Sequence, residues 1–207
     1  AVMSNRRYLM SADMSGVAGL KTKPGNRIYL CLPLYHATGL LIGVGSAMTT
    51  GAGMYVRRKF SASAFHDEIC DYNCTHMVYI GELCRYLTNT PEQAGDANIP
   101  LHSIMGNGMR PDIWMNFKQR YGIGRICEIY GASEGNVAFA NLMNKDLTVC
   151  MTSSEVALVQ YDVDQDEIIR DANGRCIEVA GGQPGLLLGK ITPDTVFEGY
   201  TDPNATE

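Results

Sequence analysis

The sequence predicts an α/β protein with a mostly parallel, doubly wound sheet, followed by a short antiparallel, β-rich segment that forms part of a barrel. Up to about residue 135, short apolar runs of strand length alternate with helical segments, the pattern of repeated strand–helix units. After about residue 150 the helical segments stop, and short strands follow one another with turn residues between them. We therefore divide the chain into residues 1–145 and 146–207.

The strands of the first part are apolar or β-branched runs ended by turn residues. The run from Ile28 to Leu32 is continuously apolar, which is typical of a strand buried on both faces, and Pro33 stops it. The run from Thr75 to Ile80 is rich in β-branched and aromatic residues. The predicted strands are Ile28–Leu32, Met54–Val56, Thr75–Ile80, Ser103–Met105 and Arg125–Tyr130.

Helix signals fill the intervals between these strands. Ser61 is a candidate N-cap for a helix that runs to Tyr72. Pro111 suits the first position of a helix that Gly122 closes. The predicted helices are Ser4–Leu20, His36–Met48, the one that Ser61 caps, one that begins over Glu82–Leu87, and one from Pro111 to Tyr121, with a loop over Thr88–Asn98.

The second part consists of short strands. Asp171-Ala172-Asn173-Gly174 predicts a tight hairpin turn, since asparagine and glycine adopt the backbone angles that such turns need. The predicted strands are Glu155–Tyr161, Glu167–Arg170, Cys176–Val179 and Leu186–Ile191.

Composition excludes several classes of protein. With 45% hydrophobic and 19% charged residues the chain is globular rather than disordered, and its net charge of −5 gives no basic surface for nucleic acid. The seven cysteines are odd in number and lie mostly in apolar segments, which indicates reduced thiols in a cytoplasmic protein. Cys70, Cys74 and His76 lack the C-x-x-C pair of a zinc site.

One stretch is free of charged residues and raises the question of a membrane span. Between Arg27 and Arg57 only His36 can carry a charge, and a bilayer requires about 20 apolar residues. However, Pro33 and the turn at Gly51-Ala52-Gly53 interrupt the stretch. A buried succession of strand, helix and strand explains it better.

Three polar or glycine-rich segments follow predicted parallel strands. They are Pro33–His36, Gly106–Pro111 and Tyr130–Glu134. Because ligands of open α/β sheets bind at the carboxyl ends of the strands, we expect these segments to converge on one ligand site.

The segment Tyr130-Gly131-Ala132-Ser133-Glu134 has the most side-chain groups that could bind a nucleotide phosphate or a metal ion. Tyrosine can stack on a base, glycine admits a phosphate, a serine hydroxyl bonds its oxygen, and a glutamate holds a metal ion. The outline G-x-S-x-G also occurs in hydrolases, but no histidine follows Glu134 to complete a triad in that order.

The other two segments each keep an alternative. Gly106-Asn107-Gly108 lets a flat ligand approach the backbone, and Asn107 can pair with a base edge, yet a strand-to-helix turn without a ligand explains it equally well. It is not a dinucleotide fingerprint, because Pro111 occupies the sixth position. His36 after a strand end is either a packed, hydrogen-bonded residue or a group beside a reacting carboxylate.

These segments resemble motifs of adenylate-forming enzymes. Tyr130–Glu134 resembles their Tyr-Gly-x-Thr/Ser-Glu motif, Leu32–His36 their Pro-Leu-x-His segment, and Gly182–Gly189 their later Gly-Glu-Leu segment. Within that superfamily the chain is similar to the fatty acid transport proteins, or very long-chain acyl-CoA synthetases, most specifically over Tyr79–Leu87.

The resemblance implies a two-step ligase that uses ATP, Mg²⁺ and CoA with a fatty acid. By the family pattern Tyr130 would stack on adenine, Ser133 would bond the α-phosphate, Glu134 would hold Mg²⁺ and His36 would lie beside the carboxylate. The remaining nucleotide-binding residues would be Gly106, Asn107, Gly108, Gly131 and Ala132. Ser133 replaces the more usual threonine and keeps the hydroxyl.

The resemblance also implies that the chain is a central piece of the large AMP-binding domain. The family's phosphate loop would precede Ala1, and its ribose-binding aspartate and carboxyl-terminal catalytic lysine would follow Glu207. Residues 1–145 and 146–207 would then be two subdomains of that domain. We expect this piece alone to be inactive and to self-associate through exposed apolar surface. The parent protein is expected in the cytoplasm, including the inner face of a membrane. The alternatives are a fatty-acid carrier with vestigial catalysis and a ligase for another acid, such as a carnitine derivative or a steroid acid.

Overall fold

The computed structural model describes residues 2–131, 136–149, 151–193, 195–202 and 204. The chain forms two compact units, one made of residues 1–130 and 139–151 and the other of residues 131–138 and 152–207. The first unit contains most of a central sheet and all the helices that carry labels below.

The helices and strands have the following bounds. The α-helices are α1 Asn5–Asp13, α2 Gly45–Thr50, α3 Phe65–Asp71, α4 Gly81–Thr88 and α5 Pro111–Arg120, with π-helical segments at Met14–Leu20 and Thr38–Val44 and a 3₁₀ turn at Asp96–Asn98. The strands are β1 Arg27–Leu30, β2 Gly53–Val56, β3 His76–Ile80, β4 Ser103–Asn107, β5 Arg125–Gly131, β6 Ala138–Ala140, β7 Val156–Val159, β8 Tyr161–Asp162, β9 Glu167–Ile168 and β10 Leu186–Gly189.

The central sheet has six strands in the order β2-β1-β3-β4-β5-β6. β1 pairs in parallel with β2 and β3, β3 pairs in parallel with β4, and β4 with β5. In the other unit β7 pairs antiparallel with β10, and β8 antiparallel with β9. The predicted fold class, a mostly parallel α/β sheet followed by short antiparallel strands, is therefore confirmed.

Helices cover both faces of the sheet, and neighbouring residues of β1 illustrate the two layers. Leu30 packs on the π-helical segment at Gly43, where an added Cβ would lie 2.7 Å from the leucine side chain. Tyr29 points the other way, and its ring lies edge-on to Phe65 of α3 at 5.6 Å. Because successive strand residues face opposite sides, a strand covered on both sides favours apolar residues at every position, as β1 has from Ile28 onward.

Several element predictions need correction. Ser61 does not cap a helix: α3 begins at Phe65 after Ala64, and the Ser61 hydroxyl lies 3.1 Å from that of Ser63. The predicted first two helices both contain a π-helical segment, at Met14–Leu20 and Thr38–Val44, where small residues allow close packing. The predicted strand Cys176–Val179 is reduced to single bridges, Arg170 with Cys176 and Val159 with Glu178.

The hairpin turn at Asp171 is confirmed. The Asp171 carbonyl accepts a hydrogen bond from the Gly174 amide at 2.9 Å, and Gly174 has a φ of +79°. The Asp171 carboxylate also accepts from the amides of Asn173 and Arg175 at 2.8 and 2.9 Å, which replaces the backbone bonds missing in a tight turn.

Two further observations bear on the uncharged stretch and on the cysteines. Among the residues that the structure describes, no helix combines the length and apolar character needed to cross a bilayer. The cysteines that the structure describes form no disulfide bonds, and Cys31, Cys74, Cys84 and Cys127 are buried in the core.

Candidate functional site

The three segments singled out in the sequence follow strands of one parallel sheet at the same edge. Pro33–His36 follows β1, Gly108–Arg110 follows β4, and Gly131 ends β5. β3 lies between β1 and β4, so the His36 segment is two strands away from the Gly108 turn. Gly106 and Asn107 were predicted as loop residues, but both belong to β4.

A row of residues across three strands builds the middle of this edge. Tyr79 of β3 pairs with Gly106 of β4, which pairs with Glu128 of β5. A Cβ at Gly106 would overlap the Tyr79 carbonyl oxygen and lie 2.8 Å from the first carbon of the tyrosine ring. Because Gly106 has no side chain, the Tyr79 ring lies across β4, and its hydroxyl donates to Oε2 of Glu128.

The other oxygen of Glu128 binds the turn that follows β4. Oε1 accepts hydrogen bonds from the amides of Gly108 and Met109, the latter at 3.1 Å. Gly108 has a φ of +80°, a conformation that favours glycine, and its carbonyl lies where a Cβ on Gly81 would be. The turn is thus confined between the start of α4 and the carboxylate of β5.

The charge of Glu128 is opposed by burial and supported by its partners. The residue is only 5% exposed, and this burial raises the pKa of its carboxyl, while the Tyr79 hydroxyl and the two turn amides act in the opposite direction. Burial also raises the pKa of Tyr79 well above its usual value, so the phenol remains a hydrogen-bond donor. An ionised carboxylate is an acceptor only, which matches the three donors around Glu128.

Tyr130, near the carboxyl end of β5, has a ring that is exposed to solvent. Since side chains two residues apart on a strand share a face, Tyr130 lies on the same face as Glu128, one step nearer the carboxyl edge. The residue is 57% exposed, and its ring lies edge-on to that of Phe139, with the two ring centroids 6.1 Å apart. Asn107 and Gly108 on the neighbouring strand end are exposed as well.

These described residues fit a flat heteroaromatic ligand. An exposed aromatic ring offers a stacking surface, and the adjacent turn has no side chain at Gly108 to block the approach. The Asn107 amide supplies both a donor and an acceptor for the edge of a base. A nucleobase therefore suits this donor set.

His36 is exposed rather than packed. Its Nδ1 accepts a hydrogen bond from the Thr38 amide at 3.3 Å, and its carbonyl accepts from the Leu40 amide at 3.0 Å. Gly39 lies so close to the Pro33 carbonyl that a Cβ would overlap it, which fixes this turn against the end of β1. The free face of the imidazole is available to a ligand at the sheet edge.

The expected phosphate and metal ligands fall in one segment of the chain. Ala132, Ser133 and Glu134 lie outside the described residues. Within the ranges that are described, no three histidine, cysteine, aspartate or glutamate residues form a group that could bind a metal ion. The role of Glu134 toward Mg²⁺ remains a prediction.

Sequence reasoning missed Glu128 and Tyr79. A signal for Glu128 was present, since a glutamate within the apolar run Ile126-Cys127-Glu128-Ile129 cannot reach solvent in a strand covered on both faces. Its partners could not be read from the sequence, because Tyr79 and Gly108 come from two other segments of the chain.

Comparison with known proteins gives a consistent assignment. The AMP-binding enzyme family matches residues 1–201. The chain is 44% identical over 207 residues to the medium/long-chain-fatty-acid–CoA ligase FadD6 of Mycobacterium tuberculosis, covering 100% of this chain and 35% of that protein. It is 40% identical over 215 residues to long-chain fatty acid transport protein 1 of Homo sapiens, covering 99% of this chain and 33% of that protein. The chain thus spans about a third of the length of these relatives.

Solved structures share the fold at low sequence identity. ATP-bound MatB from Rhodopseudomonas palustris superposes with a TM-score of 0.72 at 17% identity, covering 96% of this chain and 38% of that one. A benzoate CoA ligase from Burkholderia xenovorans gives a TM-score of 0.72 at 17% identity, covering 96% of this chain and 40% of that one.

Proposed function

The chain belongs to the AMP-binding enzyme family, within the acyl-CoA synthetase superfamily, and from that premise we propose that it forms the nucleotide-binding centre of a fatty-acyl-CoA synthetase. One observation supports the proposal most directly. The exposed Tyr130 ring and the turn at Gly108, which has no side chain at that position, lie at the ends of the adjacent strands β5 and β4. The names of the relatives, a fatty-acid–CoA ligase and fatty acid transport proteins, support a fatty acid as the substrate.

The proposed reaction has two steps. A carboxylate oxygen of the fatty acid attacks the α-phosphate of ATP, and pyrophosphate leaves to give acyl-AMP. The sulfur of the CoA thiol then attacks the acyl carbonyl carbon and releases its proton to water. The bond between that carbon and the phosphate oxygen breaks, and AMP leaves. The protein's tasks are to orient the nucleotide, to exclude water from the mixed anhydride and to neutralise charge on the phosphates.

The candidate site residues have the following parts in this proposal. The Tyr130 ring stacks on adenine, while Gly106, Asn107 and Gly108 line the opposite side and Gly131 lets the chain pass close to the phosphates. His36 lies along the same edge, two strands away, and orients the carboxylate of the acid. Ser133 on the α-phosphate, with Ala132 beside it, completes the nucleotide contacts by family pattern. Mg²⁺ on Glu134 would offset the negative charge of the phosphates.

The name fatty acid transport protein, which several relatives carry, also supports a second candidate, a fatty-acid carrier. In that alternative the catalytic activity is vestigial. A carrier would bind fatty acid without needing ATP. For either candidate we also propose a cytoplasmic location at the inner face of a membrane for the parent protein. We further propose self-association of this chain through apolar side chains such as Leu9, Met48 and Val56, which are more than half exposed.

The test is ATP–pyrophosphate exchange by the complete gene product that carries this chain. Purified protein is incubated with ATP, Mg²⁺, labelled pyrophosphate and a series of fatty acids, a carnitine derivative or a steroid acid. We expect label to enter ATP only when a fatty acid is present. Absence of exchange with every acid, together with tight binding of labelled fatty acid, would favour the carrier. The 207-residue chain assayed alone is expected to give no exchange.

A further inference from the structure

Glu128 is a buried carboxylate that the proposed reaction does not use. Its carboxylate accepts three hydrogen bonds among the described residues, from the Tyr79 hydroxyl and from the backbone amides of Gly108 and Met109. A charged group at 5% exposure is costly unless its hydrogen bonds are made in full. Two of these hydrogen bonds hold the turn after β4, at the sheet edge where the nucleotide is proposed to bind.

The turn after β4 has no other side-chain support of this kind among the described residues. Gly108 and Met109 donate their amides to one oxygen, so their orientation depends on where that oxygen lies. The oxygen is fixed in turn by the Tyr79 hydroxyl on Oε2 and by the pairing of Glu128 with Gly106. Tyr130 follows Glu128 by two residues on the same face of β5.

We propose that Glu128 is a positioning residue that sets the separation between the Gly106–Gly108 side of the nucleotide site and the Tyr130 ring. This inference rests on the proposed function. The carboxylate does not contact the nucleotide; it ties the turn of β4 to β5, so that a flat base enters a slot of constant width. The substrate class that depends on it is the adenine nucleotide, not the fatty acid.

A purely structural role is the alternative, and the chain provides a matched control. Glu68 of α3 is also a buried carboxylate, at 9% exposure, and it also accepts a hydrogen bond from a buried tyrosine, Tyr29, at 2.9 Å. It pairs with Arg57, and none of its hydrogen bonds or ion pairs with the described residues reaches the turn after β4. Loss of Glu68 tests what removing a buried tyrosine–carboxylate pair does away from the proposed site.

The experiment compares Glu128→Ala, Glu128→Gln and Glu68→Gln in the complete gene product. KM for ATP, KM for the fatty acid and kcat are measured by pyrophosphate exchange, with thermal unfolding in parallel. We expect Glu128→Ala to raise KM for ATP about tenfold or more, since two amides lose their acceptor. KM for the fatty acid should change by less than about twofold, because that side of the site is untouched.

Glu128→Gln keeps one oxygen acceptor for the turn amides and protects the test against a variant that fails to fold. Its KM for ATP should rise about threefold, an intermediate value, while Glu68→Gln lowers the unfolding temperature without changing KM for ATP. Equal effects of Glu128→Gln and Glu68→Gln on KM for ATP would overturn the positioning role. If the unmodified protein shows no acid-dependent exchange, the proposed function fails and the inference falls with it, an outcome distinct from the first.

Discussion

Replacing Gly106 with alanine tests the geometry of the site at its most crowded point. A Cβ there would overlap the Tyr79 carbonyl oxygen and lie 2.7 Å from the carbonyl carbon and 2.8 Å from the ring. The obstacle is the backbone of a paired central strand, so it cannot move aside as the end of a flexible side chain would. β3 and β4 must separate, or the tyrosine must leave its place over β4.

The expected cost follows from these contacts. Overpacking a well-packed core by one carbon costs about 1–3 kcal/mol, and a clash with backbone places this change at about 3 kcal/mol. Displacing Tyr79 would also remove its hydroxyl from Glu128, a bond to a charged acceptor. A loss of about 3 kcal/mol lowers the folding equilibrium constant roughly 150-fold.

The assay is equilibrium unfolding in urea followed by tryptophan fluorescence. Trp114 is the single tryptophan and is 2% exposed in the first unit, so its emission reports on that unit. Gly124→Ala is the matched control, because its Cβ would meet only the His102 carbonyl at 3.5 Å, an ordinary contact. That variant should stay within about 0.5 kcal/mol of the unmodified chain. A loss below about 1 kcal/mol for Gly106→Ala would refute the close packing described here.

The remaining predictions concern three other positions. Burial lowers the pKa of His76 to about 4, so between the unfolded value near 6.5 and pH 4 the unfolded state binds more protons than the folded state. Stability should therefore fall by about 3 kcal/mol as the pH drops through that window, and His76→Gln should remove this contribution from the slope in unfolding titrations. Asp96→Ala should lower the free energy of unfolding in urea by about 3–5 kcal/mol, because the buried Arg120 guanidinium, 2.8 Å from that carboxylate, would lose its counter-charge. A loss under about 1 kcal/mol would contradict this. Tyr130→Ala should raise KM for ATP about tenfold while Tyr130→Phe leaves it nearly unchanged, and equal damage by both would exclude stacking.

The sheet could be predicted from the sequence because its signals are local. A strand covered on both faces is mostly apolar at successive positions, and β1, β3 and, apart from Glu128, β5 have such runs. The boundaries of α5 were also local, since Pro111 begins the helix and Gly122 follows it with a φ of +61°.

Other features depend on contacts between distant segments. Ser61 has the chemistry of an N-cap, yet Phe65 begins α3 because its ring packs edge-on against Tyr29 and Tyr121. The short strand β6 was not predicted because Ala138-Phe139-Ala140 is only three residues long, too short a run to show a strand pattern. Tertiary packing therefore decided where α3 begins.

The candidate site shows the same division. Gly106, Gly108 and Tyr130 were found from residue type and from their place at strand ends. Glu128, which ties them together, was not assigned a role, because its partners lie 19, 20 and 49 residues away in the chain. A glutamate within an apolar strand run is the signal that could have drawn attention to it.

The most direct test of the central claim is the position of the nucleotide. The complete gene product should be crystallised with a non-hydrolysable acyl-adenylate analogue. We expect the adenine ring to lie against Tyr130 with its other face toward Gly106–Gly108, and the acyl carbonyl to lie on the His36 side of the same sheet edge. An analogue bound away from the carboxyl ends of β4 and β5 would contradict the account.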